Sequence, residues 1–84
     1  MKIKFTWIKT IDNPQARTFI ENKITEIINL KKFPEHIYEQ NIITIQLESN
    51  RKAEYSVDGI IFDQNNKQLH RFSFDCSNGI NSLT

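Results

Sequence analysis

The sequence predicts a small α+β domain: β-α-β-β-β, one helix packed on one face of a mostly antiparallel four-stranded sheet. Three observations carry this expectation. KIKFTWIKT, residues 2–10, alternates apolar and polar side chains, the period of a half-buried strand. QARTFIENKITEIINLKK then holds helical period, with Ala16, Ile20, Ile24 and Ile27 on one face. Three further strand-like runs follow with only short polar breaks, too short for crossovers, so they fold as an antiparallel meander.

Each element has local reasons. In the first strand Ile3, Phe5 and Trp7 point one way and Lys2, Lys4 and Thr6 the other. Asp12 or Asn13 can cap the helix, and Pro14 suits its first position. Phe19, Ile28 and Leu30 border the apolar face, while Thr18, Asn22, Thr25 and Asn29 line the opposite one, flanked by Glu21 and Glu26. Lys31 and Lys32 offset the helix dipole at its end, and Pro34 blocks continuation. FPEHIYEQ, residues 33–40, is expected to be a loop anchored by Ile37 and Tyr38. NIITIQLES (41–49) turns Ile43, Ile45 and Leu47 inward, and Asn50-Arg51-Lys52 is a turn. AEYSVDGIIFD (53–63) is the next strand, with Tyr55 and Val57 inward and a bulge expected at Gly59. Gln64-Asn65-Asn66 makes a hairpin turn, and QLHRFSFDC (68–76) buries Phe72 and Phe74. If the tail is part of the fold, it packs along the sheet edge and buries Ile80 and Leu83.

Size and composition limit the function. The chain has 84 residues and reads as one domain, 1–84, without repeats or linkers. A chain of that length buries roughly 60–65% of its unfolded surface, so a deep enclosed active site is not expected. A net charge of +1 is low for a nucleic-acid binder. Cys76 is the single cysteine, which excludes an intramolecular disulfide and fits a reducing, cytoplasmic setting. No signal peptide is visible, and no apolar run approaches the roughly 20 residues of a membrane span. The bias toward Ile, Asn and Lys fits an A/T-rich genome, such as a low-G/C bacterium or its phages.

No catalytic, cofactor or metal motif emerges. His36, His70 and Cys76 lack zinc-ligand spacing, and a histidine beside Arg71 reads as a surface residue. Cys76 has no local signature of a nucleophile. Glu48, Glu54, Asp58 and Asp63 lie on or near neighbouring strands and read as solvated acids rather than a catalytic pair. Trp7, Phe72 and Phe74 could stack bases, but they fall on the face that must be core. Lys2, Lys4 and Arg71 share the other sheet face with Glu48, Glu54 and Asp58.

The order β-α-β-β-β followed by FDCSNGINSL resembles the ribosome hibernation factors, the sigma-54-modulation-like family. Asp75, Ile80, Asn81 and Leu83 match the spacing that opens that family's second helix, and Thr6, Pro14, Arg17, Ile20, Lys23, Ile24 and Ile27 resemble its first strand and helix. The loop after the helix is longer than in the family, and no basic second helix is expected within residues 1–84. The resemblance implies ribosome contact, carried over to Arg17 and Lys23 on the helix. A second set of residues, Met1, Ile3, Thr6, Lys9, Thr10, Pro14, Phe33 and Pro34, with Ser56, Val57 and Gly59, is similar to the DinI-like modulators of the RecA filament. The acidic terminal helix of that family has no counterpart here.

The functional expectation is a small non-enzymatic binding protein that modulates or inhibits a larger nucleic-acid-handling machine, with the ribosome as the named version. The alternatives are a phage or mobile-element inhibitor docking on a host protein, and a dimerising accessory subunit. The partner is expected to be macromolecular, ribosome or host protein, with no membrane, no small-molecule substrate, and a monomeric or homodimeric state. Lys2, Lys4, Arg17, Lys23 and Arg71 are the candidate partner-binding residues.

Overall fold

A computed structural model describes residues 1–9, 13–51 and 55–75. The chain forms strand β1 (Lys2–Lys9), helix α1 (Pro14–Asn29), a short 3-10 helix (Glu35–Glu39), and strands β2 (Ile42–Ser49), β3 (Ser56–Asp63) and β4 (Gln68–Asp75). The predicted α+β class and element order hold. The sheet runs β1-β2-β3-β4. β1 is parallel to β2, because α1 carries the chain back across the sheet, and the other two pairings are antiparallel.

Helix α1 begins where the sequence allows hydrogen-bonding substitutes for its free N–H groups. Asn13 is the cap: its Oδ1 accepts from the N–H groups of Gln15 (3.0 Å) and Ala16 (3.3 Å), and Pro14 follows. The other predicted cap, Asp12, lies outside the described residues, as do Thr10, Lys52, Ala53, Glu54, Cys76, Ile80 and Leu83. The helix closes in a paired arrangement in which Lys31 N–H donates to the Ile28 carbonyl and Lys32 N–H to that of Ile27. Lys31 takes the left-handed position there, φ 59°, usually held by glycine. Its ammonium lies 4.2 Å from the Tyr38 ring centre, a cation–π contact that helps hold an unfavourable backbone conformation.

The stretch expected to be a loop, 33–40, contains the 3-10 helix. Ile37 and Phe33 are buried there, and Tyr38 Oη accepts from the Phe33 N–H at 3.0 Å. With Ile20, Ile24, Ile27 and Ile28 from α1, they cover Ile43, Ile45, Leu47, Val57, Ile61, Phe72 and Phe74 of the sheet. Each fully buried side chain of this kind contributes about 1.5–3 kcal/mol. Leu30, placed at the border of the apolar face, is in fact exposed, because the helix ends before it can turn inward.

Two expectations on β3 need correction. Tyr55 packs against the core as expected, but it precedes the strand, which starts at Ser56, and has φ 62°. Gly59 does not mark a bulge; it pairs in register with Leu47 and Phe72. The glycine is required because the Phe72 ring lies over it: a Cβ there would sit 2.2 Å from Phe72 Cζ. The irregularity is further along, where Ile61 pairs with His70 but Phe62 with Gln68, leaving Leu69 as the extra residue of β4. The hairpin between β3 and β4 forms as predicted. Asp63 organises it, its carboxylate accepting from the N–H groups of Asn65 (2.8 Å) and Lys67 (2.9 Å).

Candidate functional site: the uncovered face of the sheet

A strand sends alternate side chains to opposite faces, so burying Ile43, Ile45 and Leu47 commits Ile42, Thr44, Gln46 and Glu48 to the other side. The register carries this across the sheet. Lys2, Lys4 and Thr6 of β1 sit beside Ile42, Thr44 and Gln46; Glu48, Gln46 and Thr44 face Asp58, Ile60 and Phe62 of β3; Asp58 and Ile60 face Ser73 and Arg71 of β4. No helix covers this face among the described residues. Ile42, Ile60 and Phe62 are half-buried by their neighbours in the sheet, and Ile8 is 52% exposed. Around Ile60 the surface dips into an open depression of about 420 Å³, bordered by Ile8, Glu48, Asp58, Arg71 and Ser73.

The charges are mixed. Glu48 and Asp58 are cross-strand partners. Asp58 Oδ1 accepts from Ser73 Oγ at 2.7 Å and from Asn50 Nδ2 at 3.0 Å, so this carboxylate is held in place by β4 and the turn after β2. Lys2 and Lys4 lie on one edge of the face and Arg71 on the other, three strand spacings or roughly 14 Å apart. The face therefore offers apolar residues interleaved with Thr44 and Gln46, cations on two edges and anions near one end. Such a mixture suits a protein surface better than a continuous phosphate track, which needs one sign of charge.

The five predicted partner-binding residues do not share one surface. Lys2, Lys4 and Arg71 belong to the uncovered face; Arg17 and Lys23 belong to α1, on the other layer. Lys23 lies 3.8 Å from the Glu26 carboxylate and 5.5 Å from the Phe19 ring centre. Arg17 is half-buried, and its Nε has no hydrogen-bond partner among the described residues. Asp63 serves the hairpin and is not beside Glu48 and Asp58.

The aromatic residues considered for base stacking are internal. Phe72 and Phe74 are buried, and Trp7 is half-buried with its indole N–H donating to Glu21 at 2.8 Å. The histidines come together in a way that the sequence reading did not anticipate. His70 is half-buried on the core side of β4, edge-on to Phe33, rather than on the surface. His36 approaches from the 3-10 helix, with Nε2 3.0 Å from the Leu69 carbonyl. Burial first and the neighbouring His36 second push the His70 pKa below 6.5. The missed signal was simple: His70 has the same parity as Phe72 and Phe74, so it shares their face. No group of three or more His, Cys, Asp or Glu side chains is arranged to hold a metal among the described residues, and no helix there is long and apolar enough to cross a membrane. No protein-family model, curated protein or solved structure matches the chain.

Proposed function

We propose that this chain is a non-enzymatic binding protein that restrains a larger, nucleic-acid-handling machine by laying the uncovered face of its sheet against it. One observation carries the reading: Ile8, Ile42, Ile60 and Phe62 lie on a sheet face that no helix covers among the described residues, while the other face packs under α1 and the 3-10 helix. A domain this small gains nothing in stability from exposing these residues, whereas apolar patches rimmed by charge are the usual make-up of a docking surface. Glu48, Asp58 and Arg71 supply that rim at one end and Lys2 and Lys4 at the other.

The ribosome is the named target, on the resemblance to hibernation factors. The alternative target is a host protein, in the manner of a phage or mobile-element inhibitor, and the mixed charge of the face favours a proteinaceous contact in either case. Co-sedimentation with bacterial ribosomes at low and at moderate salt tests this. Pelleting that survives the higher salt fits docking on ribosomal protein. Pelleting lost steeply with salt means that phosphate contacts dominate and that the face is not the main contact. A protein that stays in the supernatant at both salts is not a ribosome binder, and a pull-down for one stoichiometric host protein follows.

A further inference from the structure

The two faces of the sheet do not exhaust its surface, because β1 and β4 also leave backbone edges. β1 pairs only with β2 among the described residues. Lys2 N–H donates to the Asn41 carbonyl at 2.8 Å, so Lys2 turns its backbone groups inward, toward β2. The direction alternates along a strand: Lys4 and Thr6 also point inward, and Ile3, Phe5 and Trp7 point their N–H and C=O groups out of the sheet. The side chains of these same three residues are only half-buried, in contrast to Ile43, Ile45 and Leu47 beside them on β2, which are fully buried. The β1 edge thus offers three outward backbone pairs and three unfinished apolar side chains on one strand.

We propose that this edge pairs with the same edge of a second copy of the chain, antiparallel about a two-fold axis through Phe5, joining two sheets into one of eight strands. The sequence itself selects the occupant and the register. Antiparallel hydrogen-bonded pairing requires outward residues opposite outward residues, so odd positions meet odd positions. Centring on Lys4 would set Lys4 against its own copy, and centring on Ile3 would set Lys2 against Lys4; both place like charges in the closer, non-hydrogen-bonded pairs. Centring on Phe5 places Lys4 opposite Thr6 and Lys2 opposite Ile8, with no lysine facing a lysine. It also brings Phe5 onto Phe5 and Ile3 onto Trp7, completing the apolar surface on the helix side. The pairing with β2 is regular from Lys2 to Trp7 and shifts between Trp7 and Lys9, so a register centred on Phe5 keeps its core pairs, residues 3–7, within the regular stretch. Register centred on Thr6 also avoids facing lysines but runs across that irregularity. One strand pair is a small interface, so the dimer is weak.

This pairing uses the strand edge and leaves the uncovered face free, so it stands or falls apart from the proposed docking. Sedimentation equilibrium of the full chain from about 10 µM to 1 mM, together with two charge variants at one exposed site, tests it. Thr6 is exposed and faces away from the core, so Thr6→Lys and Thr6→Glu leave the fold intact. In the proposed register Thr6→Lys sets two new cations against Lys4 of the other copy, and Thr6→Glu sets two anions there. Each pair occurs twice, so Thr6→Lys weakens and Thr6→Glu tightens self-association by about 2- to 30-fold. Lys4→Glu combined with Thr6→Lys sets opposite charges in the same two pairs, so it also tightens association instead of weakening it as Thr6→Lys alone does. A monomer throughout that concentration range overturns the proposal. So does a dimer indifferent to both substitutions, which would place the contact on another surface.

Discussion

Both faces of this sheet carry large apolar residues, but only one face buries them. Ile43, Ile45, Leu47, Ile61, Phe72 and Phe74 are at most 4% exposed under α1 and the 3-10 helix. Ile42, Ile60 and Phe62, one residue away on β2 and β3, are half-buried, with no helix over them among the described residues. A chain that needed only to fold would place Thr, Gln or Lys at those three positions, as it does at Thr44 and Gln46. The contrast shows that hydrophobicity in a strand can serve stability on one side and recognition on the other, and that burial separates the two.

The largest effects are expected on the packed face. Phe74→Ala should cost about 3–5 kcal/mol, because its side chain is fully buried and the helix layer cannot collapse into the space. Ile60→Glu, on the uncovered face, should cost about 1 kcal/mol or less, since Arg71 lies directly opposite it in β4 and accepts the new charge. Urea denaturation of the two variants measures the gap; equal losses would mean that the uncovered face is also structural. Next comes Gly59→Ala, at about 1–3 kcal/mol, because the new methyl must displace the Phe72 ring. Phe72→Leu in the same chain should recover part of that loss, and a simple sum of two losses would show that the ring is not the obstacle.

A smaller effect separates the two ends of the packed face. Glu21→Gln should cost about 1 kcal/mol and shift the emission of Trp7, the single tryptophan, by weakening the acceptor of its indole N–H. The smallest effect is acid sensitivity. The His70 pKa is lower in the folded chain than its ordinary 6.5, so the unfolded chain binds more protons near that pH. Stability is therefore complete above pH 6.5 and declines as pH falls from there through the folded-state value. His36 from the 3-10 helix is the charged neighbour that adds to burial, and the Asp63 carboxylate nearby in β3 is committed to the hairpin N–H groups. Thermal melts between pH 7.5 and 5 should show the decline in the native chain and a flatter profile in His70→Gln.

Much of this architecture is legible in the sequence because period and burial coincide. The alternation in residues 2–9 and 42–49 named the inward residues of β1 and β2, and the spacing Ala16, Ile20, Ile24, Ile27 named the buried face of α1. The 3-10 helix was not legible, since five residues between Pro34 and Gln40 are too few for a period to emerge. Nor was the reason for Gly59, which lies in a residue thirteen positions away on another strand. The uncovered face was legible only in part. Parity places Lys2, Lys4, Glu48, Asp58 and Arg71 together, but only the fold shows that apolar residues lie among them and that Arg17 and Lys23 lie on the other layer.

The most direct test of the uncovered face as the working surface is to compare native chain and Ile60→Glu in ribosome co-sedimentation at moderate salt, with melting temperatures measured in parallel. The native chain should pellet, and the variant should stay in the supernatant while melting within a few degrees of the native chain. A folded variant that pellets as well as the native chain would place the contact elsewhere. A native chain that does not pellet would remove the ribosome as the target.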